Sequence, residues 1–475
     1  MSGGGEGKLD RNVKTSGSGR EIAVFGAYDV VVCGGGPAGC AAALAAARQG
    51  LRTLVVEAQG QLGGMGTSGL VSHWLGGRAS NCSDWVVGGI FRELSLAGVE
   101  RGIAKLPRPE PAGGLSPHGW CRGGQLVAGV PFDSFGMAAL LDDVLAGAGV
   151  EVLLFTRAVD VVMQEHRITQ VIIHNKSGFQ AVQVKAVIDA TGDADIAALS
   201  GCPTVLGRED DHGMAPVTLM VHFDHVDVGA LTDYANRQGG GGFRWLEEIQ
   251  ALMRQGEWPF TYNRLITVQM MEPDTFMVNT SRMTGRDGTD GVSVSQAMVQ
   301  GRRESLQLLA ILRKHAPGFR NARIKAVAPL LGVRETRRIV GELVLGVDDL
   351  LGGRSFEDTI GYSAYGWDLP DPKRPSHQPM EGKAKPEYIP IPYRIMLPRN
   401  AGNLICPGRA VSVERDVLGP LRVMAPCMAM GEAAGVAAAP VVRDDGSFSS
   451  VDVQAMRRTL HAGGAIVEMV NGSMT

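Results

Sequence analysis

One glycine turn limits how this chain can fold more than any other feature. Gly34, Gly36 and Gly39, in GGGPAG, stand between the apolar run 28–33 (YDVVVC) and the Ala-rich stretch 37–49. A short apolar run before a glycine cluster reads as a buried strand, and alanine is the strongest helix former. Gly50 then supplies a helix stop and 51–57 (LRTLVVE) a second strand. The outcome is a strand–turn–helix–strand unit of about 30 residues. Gly34 permits the tight turn, Gly36 lets backbone approach a diphosphate, and Gly39 lets helix and strand pack closely. The helix N-terminus favours the phosphate charge. Glu57 ends the second strand 18 residues after Gly39. It is placed to accept hydrogen bonds from an adenosine ribose and to repel a 2′-phosphate.

The rest of the chain is organised around that unit. Residues 1–27, rich in Gly, Ser and Lys, read as a disordered tail, with structure starting at Tyr28. A helix is predicted over 132–147 and a strand over 150–155. Strands at 159–164, 170–175 and 181–189 follow as a meander, ending in Ala190-Thr191-Gly192-Asp193. These make 28–212 a nucleotide-binding domain with an insertion near 75–130. Residues 213–325, with Tyr234, Trp245, Trp258, Tyr262 and the run 239–242 of glycine, read as a substrate domain. Residues 326–350 return as a strand, and 351–390, rich in Pro, Tyr and charge, read as an ordered loop or lid. Residues 391–475 complete the first domain with the strand 403–406, the turn Pro407-Gly408-Arg409 and the helix 426–439. The predicted class is α/β: a Rossmann-like domain with a β-meander, interleaved with a smaller α+β substrate domain.

Composition removes several functions. Lys plus Arg is 46 and Asp plus Glu 49, a net charge of −3 that gives no basic surface for nucleic acid or an anionic membrane. The sequence reads as holding no apolar run of membrane-spanning length and no hydrophobic leader. Seven scattered cysteines without a CxxC suggest neither a disulfide framework nor zinc. Cys33, Cys40, Cys406 and Cys427 lie in apolar runs and read as small core residues, with a reducing cytoplasm as the expected compartment. His118, His212, His222 and His225 lack ligand spacing, so no metal is expected.

Three features favour FAD over NAD as the dinucleotide. Gly63-Gly64 follows the Glu57 strand, the Thr191-Gly192-Asp193 turn follows a distant strand, and the Gly408 turn precedes a long C-terminal helix. A second strand followed by GxGxxG is absent, which argues against a separate nicotinamide domain.

Segments 28–57, 62–77, 130–162, 187–201, 331–345 (LGVRETRRIVGELVL) and 391–439 together resemble the FAD-dependent oxidoreductase family with the glutathione-reductase-like fold, related more distantly to fumarate reductase and succinate dehydrogenase flavoproteins. The resemblance implies that Gly34, Gly36, Pro37, Ala38, Gly39, Glu57, Ala58, Gly63, Gly64 and Met65 line the adenosine, diphosphate and ribityl path. It puts Val159 by the adenine and Thr191, Gly192 and Asp193 by the diphosphate. Gly408 and Arg409 fall by the ribityl chain, and Arg422 and Val423 by the isoalloxazine. Many members carry a His where this chain has Arg415, and an arginine does not deprotonate.

The candidates for chemistry are Arg334, Arg338, Arg415 and His73. On a strand, Arg334 and Arg338 would share one face, able to grip a carboxylate or hydroxyls, with Glu335 and Arg337 on the other. His73 has the residue type for proton transfer. Arg422 and the N-terminus of the C-terminal helix would face the charge that develops on a reduced flavin. Trp245, Trp258, Tyr262, Tyr365 and Trp367 could stack on a substrate ring or serve the core. The expected function is hydride transfer between flavin N5 and a small polar substrate, by a protein with room for homo-oligomers. The alternatives are a flavin monooxygenase or halogenase and a flavin-containing RNA-modifying protein.

Overall fold

The run YDVVVC lies in the middle of the sheet, and its side chains are enclosed on both faces: Val30, Val31 and Val32 have no exposure. Such two-sided burial is what a near-continuous apolar strand of a parallel sheet requires. The computed structural model describes residues 12–14, 21–79, 84–106, 121–122, 125–126, 129–237, 245–380, 383–384, 386–470 and 473–474. The strand, β1 (Glu21–Cys33), leads into helix α1 (Pro37–Arg48) and strand β2 (Thr53–Val56). Helix α2 (Ser134–Gly147) precedes β3 (Glu151–Leu153), and the meander is β4 (Arg157–Gln164), β5 (Arg167–Asn175) and β6 (Gly178–Asp189).

The second region is a four-stranded antiparallel sheet of β7 (Val221–Asp224), β8 (Thr267–Gln269), β9 (Phe276–Val278) and β10 (Arg323–Val327), in the order β8-β9-β7-β10. Helix α3 (Gly291–His315) covers it through Leu308, Leu309 and Leu312, in one core with Phe223 and Phe276. Trp245 and Trp258 belong to that core, in edge contact at 6.3 Å, and Trp367 lies in the core of the first domain. None of these three tryptophans is free to stack on a substrate ring. The glycine run 239–242 and His118 lie outside the described residues.

The chain then returns through β11 (Leu404–Ile405) and the long helix α4 (Met424–Arg443). In the large sheet the order is β3-β2-β1-β6-β5-β4, and β11 pairs with the C-terminal half of β6. Strands β3, β2, β1, β6 and β11 are parallel; β5 runs antiparallel to both its neighbours, β6 and β4. The α/β class with its meander is therefore as predicted. From β1 the chain crosses through α1 to β2 on one side, while β6 lies on the other. The change of direction puts a crevice at the carboxyl ends of β1 and β6, where ligands of open α/β sheets bind.

Two boundaries differ from expectation. Residues 21–27, predicted as tail, are strand: Ala23 to Ala27 pair in parallel with Gln180 to Gln183, and Ile22 is buried against Ile172 and Ala181. Four apolar residues look too few alone, but β6 supplies a partner. A short strand, Asn12–Lys14, also pairs with β1; the remainder of 1–20 lies outside the described residues. Second, the returning strand, Arg337–Ile339, does not enter the large sheet. It pairs with Thr204–Leu206, because β11 already occupies the free edge of β6 at Val187 and Ile188. Within 351–390, Thr359–Ser363 and Ile389–Pro392 pair antiparallel, and the described residues between them, 364–380, 383–384 and 386–388, are irregular.

Helix α4 corrects another expectation: at 20 residues and a mean hydropathy of 1.3 it is long and apolar enough to cross a membrane. In this fold 78% of its most apolar 18-residue stretch is buried inside the molecule. It packs on α1 with almost no intervening side chain. A Cβ on Gly431 would stand 2.0 Å from the Ala38 carbonyl oxygen, and one on Gly435 2.3 Å from that of Ala42.

Glu432, on the same helix, is 6% exposed and accepts a hydrogen bond from Ile90 N–H at 3.0 Å. Burial pushes its carboxyl up to about 7. A carboxyl raised in the folded state adds stability below its unfolded pKa and loses it as pH rises through the folded one. Glu432→Gln, which keeps the acceptor for Ile90, is therefore expected to gain on the wild type as pH rises. Thermal melts at pH values on either side of this window should show a gap that widens toward alkaline pH by up to about 3 kcal/mol. A gap independent of pH would refute the account of Glu432.

Candidate active site

Four loops leave the carboxyl ends of adjacent parallel strands and meet at the crevice. The first is Gly34–Gly36. Gly34 has φ +106°, and a Cβ there would stand 2.4 Å from the Ala190 carbonyl oxygen. A Cβ on Gly39 would stand 1.8 Å from the Gly34 oxygen. At Gly36 nothing lies within 4 Å of where a Cβ would be. Two glycines thus allow backbone to touch backbone, and the third opens onto empty space at the start of α1. Gly36 is the N-cap of α1 and offers no side-chain cap, and Pro37 occupies the first turn, where its missing N–H costs nothing. The N–H groups of a helix start of this kind suit an anion such as a diphosphate.

The second loop carries Glu57, at the end of β2. Its carboxylate is 7% exposed and fixed by Gly35 N–H and Gln59 N–H, each at 2.6 Å. A carboxylate has about four acceptor positions, so capacity remains for ribose hydroxyls. Ala58 follows at the surface of the same turn. The chain then turns through Gly63 (φ +96°) and Gly64 (φ +51°), where a Cβ on Gly64 would stand 2.9 Å from Gly36 Cα. Met65 continues that path and its Cε lies 3.4 Å from the Cβ position of Gly332.

The third loop follows β6. Asp189 accepts from Thr191 N–H and Oγ and from Ala197 N–H, which shapes the Thr191-Gly192-Asp193 turn. Burial pushes the Asp189 carboxyl up to about 6. The fourth follows β11. Gly408 (φ +98°) brings its Cβ position to 3.3 Å from Ala38 Cβ, and Arg409 bonds Asp193 at 2.6 Å. The N-terminal and C-terminal glycine turns therefore adjoin one another across the crevice. Val159, on β4, lines a neighbouring open cavity of about 360 Å³ with Asp195, Leu199 and Arg337.

The arginines do not lie as an alternating strand would place them. Regular pairing starts only at Arg337, so 334–336 do not alternate. Arg338 reaches Glu335 at 3.1 Å, the Gly207 oxygen and the Val413 oxygen, and is 3% exposed. Arg415 holds the other Glu335 oxygen at 2.8 Å and also the Pro370 oxygen. Glu335, wholly buried, accepts from Ala215 N–H too. This is a brace between 207–215, 335–338 and 413–415, and it corrects the placement of Arg338 and Arg415 among residues facing a substrate. Arg337 turns away to Asp195 at 2.9 Å and the Asp193 oxygen.

His73 is 2% exposed, on a two-residue strand paired with Val130–Pro131, and a Cβ on Gly129 would stand 2.1 Å from its Nε2. Burial pushes it down to about 4, so it is neutral near pH 7. Arg334, 8% exposed, bonds the Pro216 oxygen, Thr218 Oγ1 at 2.8 Å and Asn279 Oδ1. Burial, then the nearby Arg282 and Arg422, push it down to about 9. Arg422 lies just before Val423, the N-cap of α4, and bonds the main chain and carboxylate of Asp368. Tyr365 also bonds Asp368, at 3.0 Å, and Arg282 stacks 3.8 Å over Tyr262. Sequence reasoning missed Arg282 and Asp368. Neither sits in a recognisable motif, and only the loop 364–388 joins them to Arg334 and Arg422.

A family model for FAD-dependent oxidoreductases matches residues 29–460, which is most of the chain. The chain belongs to the FAD-dependent oxidoreductase family. It is an enzyme that uses FAD, and the open face of Gly36, the fixed Glu57 carboxylate and the adjoining Gly408 turn fit that dinucleotide. Among curated proteins, a digeranylgeranylglycerophospholipid reductase of Thermoplasma volcanium is 26% identical over 57% of this chain and 67% of its own. A dihydrolipoyl dehydrogenase of Trypanosoma brucei brucei is 58% identical over 41 residues, 9% of each chain. Among solved structures, a geranylgeranyl bacteriochlorophyll reductase-like protein of Thermoplasma acidophilum is 13% identical. It covers 92% of this chain and 82% of its own, with a TM-score of 0.45. A flavin-dependent brominase is 15% identical over 92% of this chain and 83% of its own, with a TM-score of 0.46. Scores at that level carry no argument about activity.

The glycine geometry separates two substitutions that look alike. Gly34→Ala is expected to lower both thermal stability and FAD content, since its methyl would meet the Ala190 oxygen. Gly36→Ala, whose backbone suits any residue, should keep the FAD-free protein within about 1 kcal/mol of wild type yet hold much less FAD. Equal losses in both variants, by thermal melt and flavin absorbance, would contradict this. Arg338→Leu should cost on the order of 3 kcal/mol, because it strips a partner from a buried carboxylate. A change below about 1 kcal/mol in denaturant unfolding would mean that the brace is idle.

Proposed function

We propose that this family member is a dehydrogenase or reductase that exchanges two electrons and a proton with a small polar organic substrate, on a glutathione-reductase-like FAD domain. The observation that carries the reading is the convergence of the Gly36, Gly64 and Gly408 turns at one crevice, with one strand–GxGxxG–helix unit among the described residues. Such a site takes one dinucleotide, and nothing comparable supports a separate nicotinamide site. The similarity to a protein named as a reductase supports the same reading.

Bound FAD supplies the redox chemistry, accepting or giving two electrons. The protein's own residues bind and orient. Gly36 and the first turn of α1 receive the diphosphate, and Glu57 holds the ribose hydroxyls. The Asp193–Arg409 pair closes the crevice from the opposite wall. Arg422, ahead of the positive end of α4, adds positive charge near that end of the site.

The test is anaerobic mixing of FAD-loaded protein with panels of small alcohols, amines and acids. A member of the panel should bleach the visible flavin band, or reoxidise it after chemical reduction, without any nicotinamide. Substrate-dependent oxidation of NADPH coupled to oxygen uptake would instead establish a monooxygenase or halogenase and overturn the reading.

A further inference from the structure

Three guanidinium groups from three separate elements bear electrostatically on one carboxylate, Asp368, which Arg422 bonds. Arg282 follows β9, Arg334 precedes the strand Arg337–Ile339, and Arg422 precedes the N-cap of α4; Asp368 comes from the loop 364–388. The charged groups bearing on Arg334 are Arg282, Arg422 and Asp368. Those bearing on Asp368 are the same three arginines. Burial alone would raise the Asp368 carboxyl, and the arginines outweigh it and lower it. Three cations against one anion leave two positive charges in excess. Enclosing unpaired ions costs several kcal/mol each in a protein interior. A fold keeps such an excess where a ligand of opposite charge completes it.

The hydrogen bonds show where that ligand would fit. Arg282 uses one terminal nitrogen on the Pro375 oxygen, and Arg422 uses one on Asp368. The Nε of each, though buried, has no partner. Each guanidinium thus keeps an Nε–H able to donate to an oxyanion; in Arg422 the adjoining Nη2 is already engaged by Asp368. The cluster is not sealed, since the side chains of Asp368 and Arg422 are 24% and 12% exposed.

The cluster is also fastened to the dinucleotide crevice. Thr218 Oγ1 accepts from Arg334, and the Thr218 backbone exchanges both hydrogen bonds with Gly332. Gly332 lies against Met65, and Leu330 N–H bonds the Ser68 oxygen. On the other side, Met424 Sδ is 3.3 Å from the Cβ position of Gly66. Segment 63–70 therefore touches the Gly36 turn through Gly64 and the segment leading to Arg334 through Met65 and Ser68.

We propose that Arg282, Arg334 and Arg422 form the substrate's anchoring site and bind an oxyanion, a carboxylate or a phosphate carried by a small anionic substrate. This deepens the oxidoreductase reading and rests on it.

The test uses FAD-loaded protein at constant ionic strength, titrated in separate arms with malonate and with inorganic phosphate. Binding is read by thermal shift and by perturbation of the flavin spectrum. At least one arm should saturate, and the tighter one names the oxyanion. Arg282→Gln should weaken that binding by about tenfold or more, the worth of a charged hydrogen bond. Asp368→Asn, which removes the competing negative charge, should tighten it. Arg92→Gln, exposed and outside the cluster, should leave it unchanged. Should Arg282→Gln fail to fold, Arg282→Lys keeps the charge but loses the planar edge and should still bind more weakly. Two silent arms, or equal affinity in wild type and the Arg282 variant, would overturn the proposal. Failure of the dehydrogenase or reductase reading looks different: substrate would drive NADPH oxidation coupled to oxygen uptake, while the thermal-shift titration would still report on the arginines.

Discussion

The first turn of α1 sits against β1 through a contact that leaves room only for hydrogen. A Cβ on Gly39 would overlap the Gly34 carbonyl oxygen at 1.8 Å. That approach puts the helix start directly over the carboxyl end of the central strand, and other features of the crevice are positioned from it. Ala38 becomes the surface on which Gly408 and Gly431 close, so the C-terminal turn and α4 are placed by the N-terminal glycines. Gly64 closes over Gly36 in the same way. Close helix approach through small residues is favourable because dispersion falls off steeply with distance. The same closeness leaves no slack for larger side chains.

Charge is arranged on two principles within one molecule. Around Glu335 the balance is local: Arg338, Arg415 and the Ala215 N–H take up both carboxylate oxygens, and the group ties three segments together. Around Asp368 three arginines face one carboxylate, with some access to solvent; unpartnered Nε atoms occur in both groups, on Arg282 and Arg422 here and on Arg415 beside Glu335. The first is a structural joint. The second has the character of a binding surface, held in place by the loop 364–388 and the two sheets' returning segments.

Much of this was legible in the residues. The glycine spacing, the apolar run of β1 and the Ala-rich helices announce the parallel sheet, because each is a local pattern with a backbone reason. The meander could be read for the same cause, with polar turns between short apolar runs. What could not be read depends on pairing between distant parts. Residues 21–27 are strand only because β6 lies beside them. The alternation expected of 334–338 fails because the pairing strand is three residues long. Arg338 and Arg334 are alike in sequence, yet one meets Glu335 and the other Thr218. Arg282 and Asp368 are 86 residues apart and have no signature. Only the loop that carries Asp368 and Pro375, bonded to Arg422 and Arg282, brings them together.

The central claim is that one FAD lies in the crevice where the glycine turns converge. A crystal structure of the FAD-loaded protein tests it most directly. The account predicts the diphosphate against the amides that open α1, between Gly36 and the Gly408 turn, with ribose oxygens at the Glu57 carboxylate. A flavin found on another surface, or a crevice filled by side chains in protein that still carries FAD, would contradict it.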